Sequence, residues 1–324
     1  MIAFLKLIRF PNLLIIAFTQ YIIRFCLIQP VLTLSGFELQ MQEWEFAWLV
    51  LATLFIAAGG YIINDYFDVR IDNINKPDNM VIDKGVKRRV AMGAHAVLSM
   101  LGCLIGIYLS WKSNILLAGA TVFCLSVVGL WYYSTHFKYQ FLTGNFMVSL
   151  FTSIAVILPA LFEVPRIIVE YNNQLLSQQF QFGSEVTTTK ILMWTATVGA
   201  FAFILSLIRE IIKDMEDMEG DMEYGCKTIP IVLGLNKTKI IMLCLIVLAI
   251  ARCGYIQFLL HHLLNEKISD FYFALLIHFP LIALFFLLLK AKSKQHFHRA
   301  SRLVKFIMLT GVCFLILLRF LLLK

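Results

Sequence analysis

Apolar runs of about twenty residues recur along this chain, each long enough to cross roughly 30 Å of hydrocarbon as a helix. Nine such spans are expected, at approximately 12–33, 45–64, 91–110, 114–135, 143–162, 189–209, 237–260, 271–290 and 303–322. The fold class that follows is all-α, a polytopic membrane bundle of nine transmembrane helices. Composition agrees: with 60% hydrophobic and 15% charged residues among 324, too few charges remain for a soluble domain of this length. No stretch between spans is long enough for a second domain, so residues 1–324 are expected to form one transmembrane domain. The longest loops are expected at 65–90, 163–188 and 210–236. Lys6 and Arg9 precede the first apolar run, which is long and lacks a small-residue cleavage site after it. It reads as a retained first helix and not as a cleaved signal.

Positive charge orients the spans. Loop 65–90 carries Arg70, Lys76, Lys84, Lys87, Arg88 and Arg89, and loop 291–302 carries Lys292, Lys294, Arg299 and Arg302. Lys138 lies in loop 136–142, and Lys213 and Lys227 lie in loop 210–236. With nine spans, these loops fall on one side together with Lys6 and Arg9, while the alternate loops are poor in Lys and Arg. The N-terminus is therefore expected in the cytoplasm and the C-terminus outside, with Arg319 and Lys324 as a minor exception. The net charge of +8 then reflects cytoplasmic loops beside anionic lipid, and no nucleic-acid partner is expected. The seven cysteines are scattered through apolar segments without a Cys-x-x-Cys pair, which suits small buried side chains.

Against this background two acidic stretches stand out. Asp65, Asp68 and Asp72 are spaced three and then four apart, at the end of the second span. Asp214, Asp217 and Asp221 repeat that spacing after the sixth. On a helix each triad lines one stripe, and Asn64 joins the first through its i,i+4 relation to Asp68. One such triad could be merely a solvated helix end, and Glu210, Glu216, Glu219 and Glu223 are read in that way. Two triads with one spacing on one membrane face call for more. Clustered carboxylates near a membrane repel unless they are paired or hold a cation. Hard oxygen donors suit Mg²⁺, which binds through a few carboxylates plus substrate phosphates, and no Cys or His cluster argues for zinc or iron. Lys and Arg would neutralise the remaining phosphate charge. Candidates are Arg9, Lys138, Arg209, Lys213 and Lys227, with Tyr133 able to bond a phosphate. Arg88 and Arg89 are read as topogenic charges.

The paired motifs, Asn64-Asp65-x-x-Asp68-x-x-x-Asp72 and Asp214-x-x-Asp217-x-x-x-Asp221, resemble the two aspartate-rich motifs of the UbiA superfamily of intramembrane prenyltransferases. Arg9-Phe10-Pro11-Asn12, Tyr133-Ser134 with Lys138 and Gly144-Asn145, and Tyr224-Gly225-Cys226-Lys227-Thr228-Ile229-Pro230 with Gly234 are similar to further segments of that family. The resemblance implies nine helices around a central cavity, a Mg²⁺ cofactor, a polyprenyl diphosphate donor and a lipophilic acceptor, in a bacterial or archaeal cell membrane with the site on the cytoplasmic side. It implies metal-binding roles for Asn64, Asp65, Asp68, Asp72, Asp214, Asp217 and Asp221, with Asp68, Asp72, Asp217 and Asp221 central to catalysis. Asn64, Arg9, Tyr133, Lys138, Arg209 and Lys213 are expected to hold the diphosphate. No obligate protein partner is implied.

Ile71–Lys76 with Pro77-Asp78, and Arg209–Asp221, look most like the branch that prenylates geranylgeranylglyceryl phosphate at a glycerol hydroxyl. Asp78–Gly85 departs from that pattern, standing where an Arg-Pro-(Leu/Ile)-Pro-Ser-Gly type of run is expected. An aromatic acceptor of the 4-hydroxybenzoate, homogentisate or naphthoate type is therefore the alternative. Outside enzymes, the competing readings are a cation-coupled transporter, which would need acids near mid-span, and a scaffold with a vestigial site.

Overall fold

The computed structural model describes residues 2–75, 80–171, 184–264 and 266–324. Nine helices among these are long and apolar enough to cross a membrane. We number them α1 (Phe10–Leu34), α2 (Glu43–Asn75), α3 (Arg88–Lys112), α4 (Leu116–Thr135), α5 (Thr143–Glu170), α6 (Ser184–Glu223), α7 (Leu235–Leu264), α8 (Lys267–Lys290) and α9 (Lys294–Leu322). The chain adopts the expected all-α membrane fold, with nine candidate spans and no β-strand among the described residues.

The helices differ from expectation in where they stop. α2 continues to Asn75 and α6 to Glu223, so both acidic triads lie on helix, as their striped spacing expects, while the helices run on into the stretches expected as loops at 65–90 and 210–236. A span read from hydropathy ends at the first cluster of charge. The helix itself ends only where the i→i+4 ladder is broken, and Asp side chains spaced three and four apart do not break it. α2 is about 50 Å long by its rise per residue, longer than the roughly 30 Å hydrocarbon layer.

Two transmembrane helices carry a π-turn with a shared cause. In α1 it spans Ile23–Ile28 ahead of Pro30, and in α8 it spans Phe273–His278 ahead of Pro280. A proline inside a helix lacks its N–H and crowds the carbonyl four residues back, and widening the preceding turn relieves that clash.

The chain forms two compact units. The first comprises Met1–Phe137 and Ile154–Thr197. Its core is built around Phe46, Leu49, Ile56, Leu109, Phe123 and Phe162, where α2, α3, α4 and α5 meet. Glycines let these helices approach closely. A Cβ at Gly106 would lie 2.3 Å from the Phe123 ring, and one at Gly102 would lie 2.6 Å from Ile56. A smaller cluster of Leu7, Ile62, Ile82 and Ala91 seats the loop before α3 against α2, with Tyr66 and Val69 packed on it. Within that loop Gly85 N–H donates to Val81 O at 2.7 Å and Asp83 adopts a left-handed backbone, φ 68°. Residues 80–85 of the divergent Asp78–Gly85 run are thus a defined turn anchored by buried Ile82. Asp78 and Asn79, with Lys76 and Pro77, lie outside the described residues.

The second unit comprises Lys138–Ser153 and Val198–Lys324. Here α7, α8 and α9 pack with the later part of α6. Tyr272 Oη donates to Thr310 O at 2.7 Å, and Gly311 of α9 lies against the Phe201 ring of α6. The loop around Lys138 is tied to the segment after the second acidic triad, because Lys227 N–H donates to Tyr139 O at 2.8 Å.

Candidate active site

In the first unit, Asn64, Asp65, Asp68 and Asp72 are all half-buried on the last turns of α2. Helical spacing puts them on one stripe. Upstream, α2 is held against α3 where His95 Nδ1 meets Gly59 O at 2.9 Å; a carbonyl can only accept, so His95 donates. The first motif is therefore set on a packed helix and not on a free loop.

Arg9 brings the N-terminal segment onto this motif. Its Nη2 donates to Asp65 Oδ1 at 2.7 Å, and its guanidinium lies 4.9 Å from the centre of the Tyr61 ring. Arg9 sits between the short helix Ile2–Leu7 and α1, in a left-handed backbone, φ 50°. Pro11 follows within the first turn of α1. A left-handed conformation is costly for a residue with a Cβ, so the break is held by its surroundings. Burial works against the Arg9 charge, but the Asp65 carboxylate, together with Tyr61 and Tyr133, outweighs it and holds the guanidinium pKa above the ordinary arginine value. Tyr133, near the end of α4, is half-buried.

In the second unit, Asp214, Asp217 and Asp221 are half-buried on the last turns of α6. Asn145, buried in the first turn of α5, donates from Nδ2 to Asp214 Oδ2 at 2.7 Å. Glu210, expected on a solvated face, is instead buried and engages two cations. Arg209 Nη1 donates to its Oε1, and Lys213 Nζ stands 3.6 Å from its Oε2. Two of the expected diphosphate ligands thus share one carboxylate one turn before Asp214. Glu216 is also bonded, at 3.0 Å, to His298 Nδ1 of α9. Lys138 lies in the short turn Phe137–Tyr139, with Nζ 5.1 Å from the Tyr139 ring centre.

The donor set fits a hard divalent cation. Among the described residues no three His, Cys, Asp or Glu side chains converge closely enough to hold a metal ion by themselves. That is compatible with Mg²⁺, which needs only one or two carboxylates when a diphosphate and water supply the remaining oxygens. Asn64 Oδ1 is a buried acceptor with no hydrogen-bond partner among the described residues, one turn from Asp68 on the same stripe. A buried acceptor oxygen of this kind has lone pairs suited to a hard cation.

Sequence reasoning did not find Asn145, Glu210 or His298 as partners of the acidic motif. Asn145 carried a signal only as part of Gly144-Asn145; nothing in the spacing pairs it with a residue 69 positions later.

Comparison with known proteins adds an independent line. Residues 31–310 match the UbiA prenyltransferase family. The digeranylgeranylglyceryl phosphate synthase of Sulfurisphaera tokodaii is 36% identical over 196 residues, 59% of this chain and 60% of that protein. The chain thus aligns with about three fifths of that relative's length. A solved structure of a digeranylgeranylglyceryl phosphate synthase shares the fold with TM-score 0.63 and 23% identity, over 98% of this chain and 97% of that one. A UbiA homologue from Archaeoglobus fulgidus, solved bound to GPP and Mg²⁺, shares it with TM-score 0.54 and 15% identity, over 97% of this chain and 99% of that one.

Proposed function

This chain belongs to the UbiA prenyltransferase family, and we propose that it transfers a polyprenyl group from a polyprenyl diphosphate to a lipophilic acceptor in the membrane, with Mg²⁺ as cofactor and geranylgeranylglyceryl phosphate as the acceptor. The observation that carries the reading is the pair of half-buried triads, Asp65/Asp68/Asp72 and Asp214/Asp217/Asp221, each at the end of a membrane span on one helical stripe. The relatives named as digeranylgeranylglyceryl phosphate synthases support the choice of acceptor.

Within this reading each motif would hold a cation by its own residues, Asn64, Asp68 and Asp72 in the first unit and Asp217 and Asp221 in the second, with Asp65 and Asp214 steadied by Arg9 and Asn145. When bound, Mg²⁺ neutralises charge on the diphosphate as it leaves. Arg9, Lys138, Arg209, Lys213 and Tyr133 orient the diphosphate by charge-assisted hydrogen bonds. The bond between the allylic carbon and the diphosphate oxygen breaks, with its electron pair leaving on oxygen. The acceptor hydroxyl oxygen forms the new bond and its proton passes to the released diphosphate. Apolar spans keep water from the allylic cation, which would otherwise be hydrolysed. The Lys- and Arg-rich loops support a cytoplasmic site.

The test is to incubate purified membranes with a series of prenyl diphosphates and a panel of glyceryl phosphate, glycerol and aromatic acceptors, reading products by mass with and without chelation of Mg²⁺. A prenylated glyceryl phosphate that disappears on chelation is expected. Product only on an aromatic acceptor would replace the acceptor, and neither product nor diphosphate release across the panel would sink the reading.

A further inference from the structure

The second acidic motif has a basic neighbour in its own unit. Glu216 stands directly before Asp217 on α6; its side chain is only 11% exposed and it is bonded at 3.0 Å to His298, whose side chain is 59% exposed. The first turns of α9 are thereby fixed beside the motif. From His298 the exposed face of α9 continues through Arg299, Arg302 and Lys305, while Phe297, Ala300, Ser301 and Val304 turn inward. His298 and Arg302 are four apart, and Arg299, Arg302 and Lys305 are successively three apart, so the four form one continuous surface. Residues 290–305 hold six Lys or Arg and no Asp or Glu, and they stand where α8 ends and α9 begins; a junction between two membrane spans is where lipid head groups are met.

Solvated topogenic charge would account for the sign of this stretch. It would not account for the way the stretch is joined to the catalytic helix through a nearly buried carboxylate. We infer that the α9 face carrying His298, Arg299 and Arg302 seats the phosphate of the acceptor lipid, so that the glycerol hydroxyl of the same head group reaches the second acidic motif. Arg suits this role because its planar fork binds phosphate oxygens in pairs. The inference rests on the acceptor reading above and adds to it the part of the chain that selects a phosphorylated head group. Bulk anionic phospholipid presents the same chemistry to the same face, and the test separates the two sources.

The experiment compares prenylglyceryl phosphate with the dephosphorylated prenylglycerol as acceptors, for wild type, Arg302→Gln, Arg302→Lys and the double variant Arg299→Gln/Arg302→Gln. Each is reconstituted in nanodiscs of zwitterionic lipid and in nanodiscs containing anionic phospholipid. The readout is the ratio of kcat/KM for the two acceptors, which is independent of how much of each preparation is correctly folded. Wild type should prefer the phosphorylated acceptor. The preference should fall by about tenfold in Arg302→Gln and further in the double variant, as expected for losing a charged hydrogen bond. Arg302→Lys should retain part of it. The fall should be the same in both kinds of nanodisc. An unchanged ratio overturns the inference while leaving the acceptor reading intact. A fall seen only with anionic phospholipid overturns it in favour of bulk lipid. Failure of wild type to use either acceptor overturns the acceptor reading, and this inference with it.

Discussion

Arg9 and Asp65 form an ion pair at 2.7 Å across 56 positions of sequence, and Arg9 adopts a left-handed backbone, φ 50°, where it does so. Arg9 is 37% exposed and Asp65 20%, so the pair itself adds little stability, of order 1 kcal/mol or less. Its consequence is placement: the guanidinium is fixed over the first acidic motif. Arg9→Gly removes the side chain and relieves a left-handed conformation that costs a Cβ-bearing residue roughly 1–2 kcal/mol. We predict that Arg9→Gly keeps or raises the thermal midpoint in detergent while raising the KM for the prenyl diphosphate. A variant that loses stability and binds donor normally would show that the pair serves folding alone.

The triads themselves give the sharpest contrast between fold and activity. Asp68 and Asp217 are half-buried on the last turns of α2 and α6. Asp68→Ala and Asp217→Ala are expected to lower Mg²⁺-dependent diphosphate release by about 100-fold or more, the scale of losing a main electrostatic contact in a reacting site. Their elution and melting in detergent should match wild type. Wild-type rates in both variants would remove the metal role from these residues.

Hydropathy alone makes the nine spans legible, because a lipid-crossing helix needs about twenty apolar residues and little else. The carboxylate spacing makes the two acidic stripes of the candidate site legible, since three-and-four periodicity is a helix face. Helix ends were not legible: the Asp residues that close a hydropathy window on α2 and α6 do not close the helix. Nor were the partners. Asn145 and Asp214 meet across 69 positions, Arg9 and Asp65 across 56, and such pairings depend on packing and not on local pattern. Arg24 did carry a signal, a charge inside an apolar run, but its partner Glu163 is 139 positions away.

Asn145 is the neutral partner of an acidic site, and its neutrality matters. With Nδ2 donating to Asp214 at 2.7 Å, Asn145→Ala would leave a carboxylate oxygen without its bond, at a cost of about 1–3 kcal/mol. Asn145→Asp would instead set two carboxylates at hydrogen-bonding distance and cost more, because like charges at this range repel. The expected order of thermal midpoints is wild type, then Asn145→Ala, then Asn145→Asp. Added Mg²⁺ should recover more of the loss in Asn145→Asp than in Asn145→Ala, measured by melting across a Mg²⁺ series. The reverse order would show that the bond is incidental to Asp214.

At the other end of α2 the polar chemistry has a different purpose. Glu45 and Asp65 are twenty residues apart on one helix, about 30 Å by its rise, which is the thickness of the hydrocarbon layer. There Arg24, with its side chain 2% exposed, donates from Nη1 to Glu163, 1% exposed, at 3.1 Å and lies 4.5 Å from the Phe46 ring centre. Met41 N–H also donates to Glu163 at 3.1 Å, and Glu45 is bonded by both Lys112 and Arg166. These contacts join α1, α2, α3 and α5 at the end of α2 opposite the first acidic motif. Removing one partner strands a buried charge, whereas removing both leaves an apolar contact of similar volume. Arg24→Met should therefore destabilise by about 3–5 kcal/mol, and Arg24→Met/Glu163→Met by clearly less than that. The double-mutant cycle is read by chemical denaturation in mixed micelles. Because the network is a membrane's thickness away from Asp65, the fraction of Arg24→Met that stays folded should bind prenyl diphosphate with wild-type KM. A raised KM in that fraction would mean that the network reaches the site through α2.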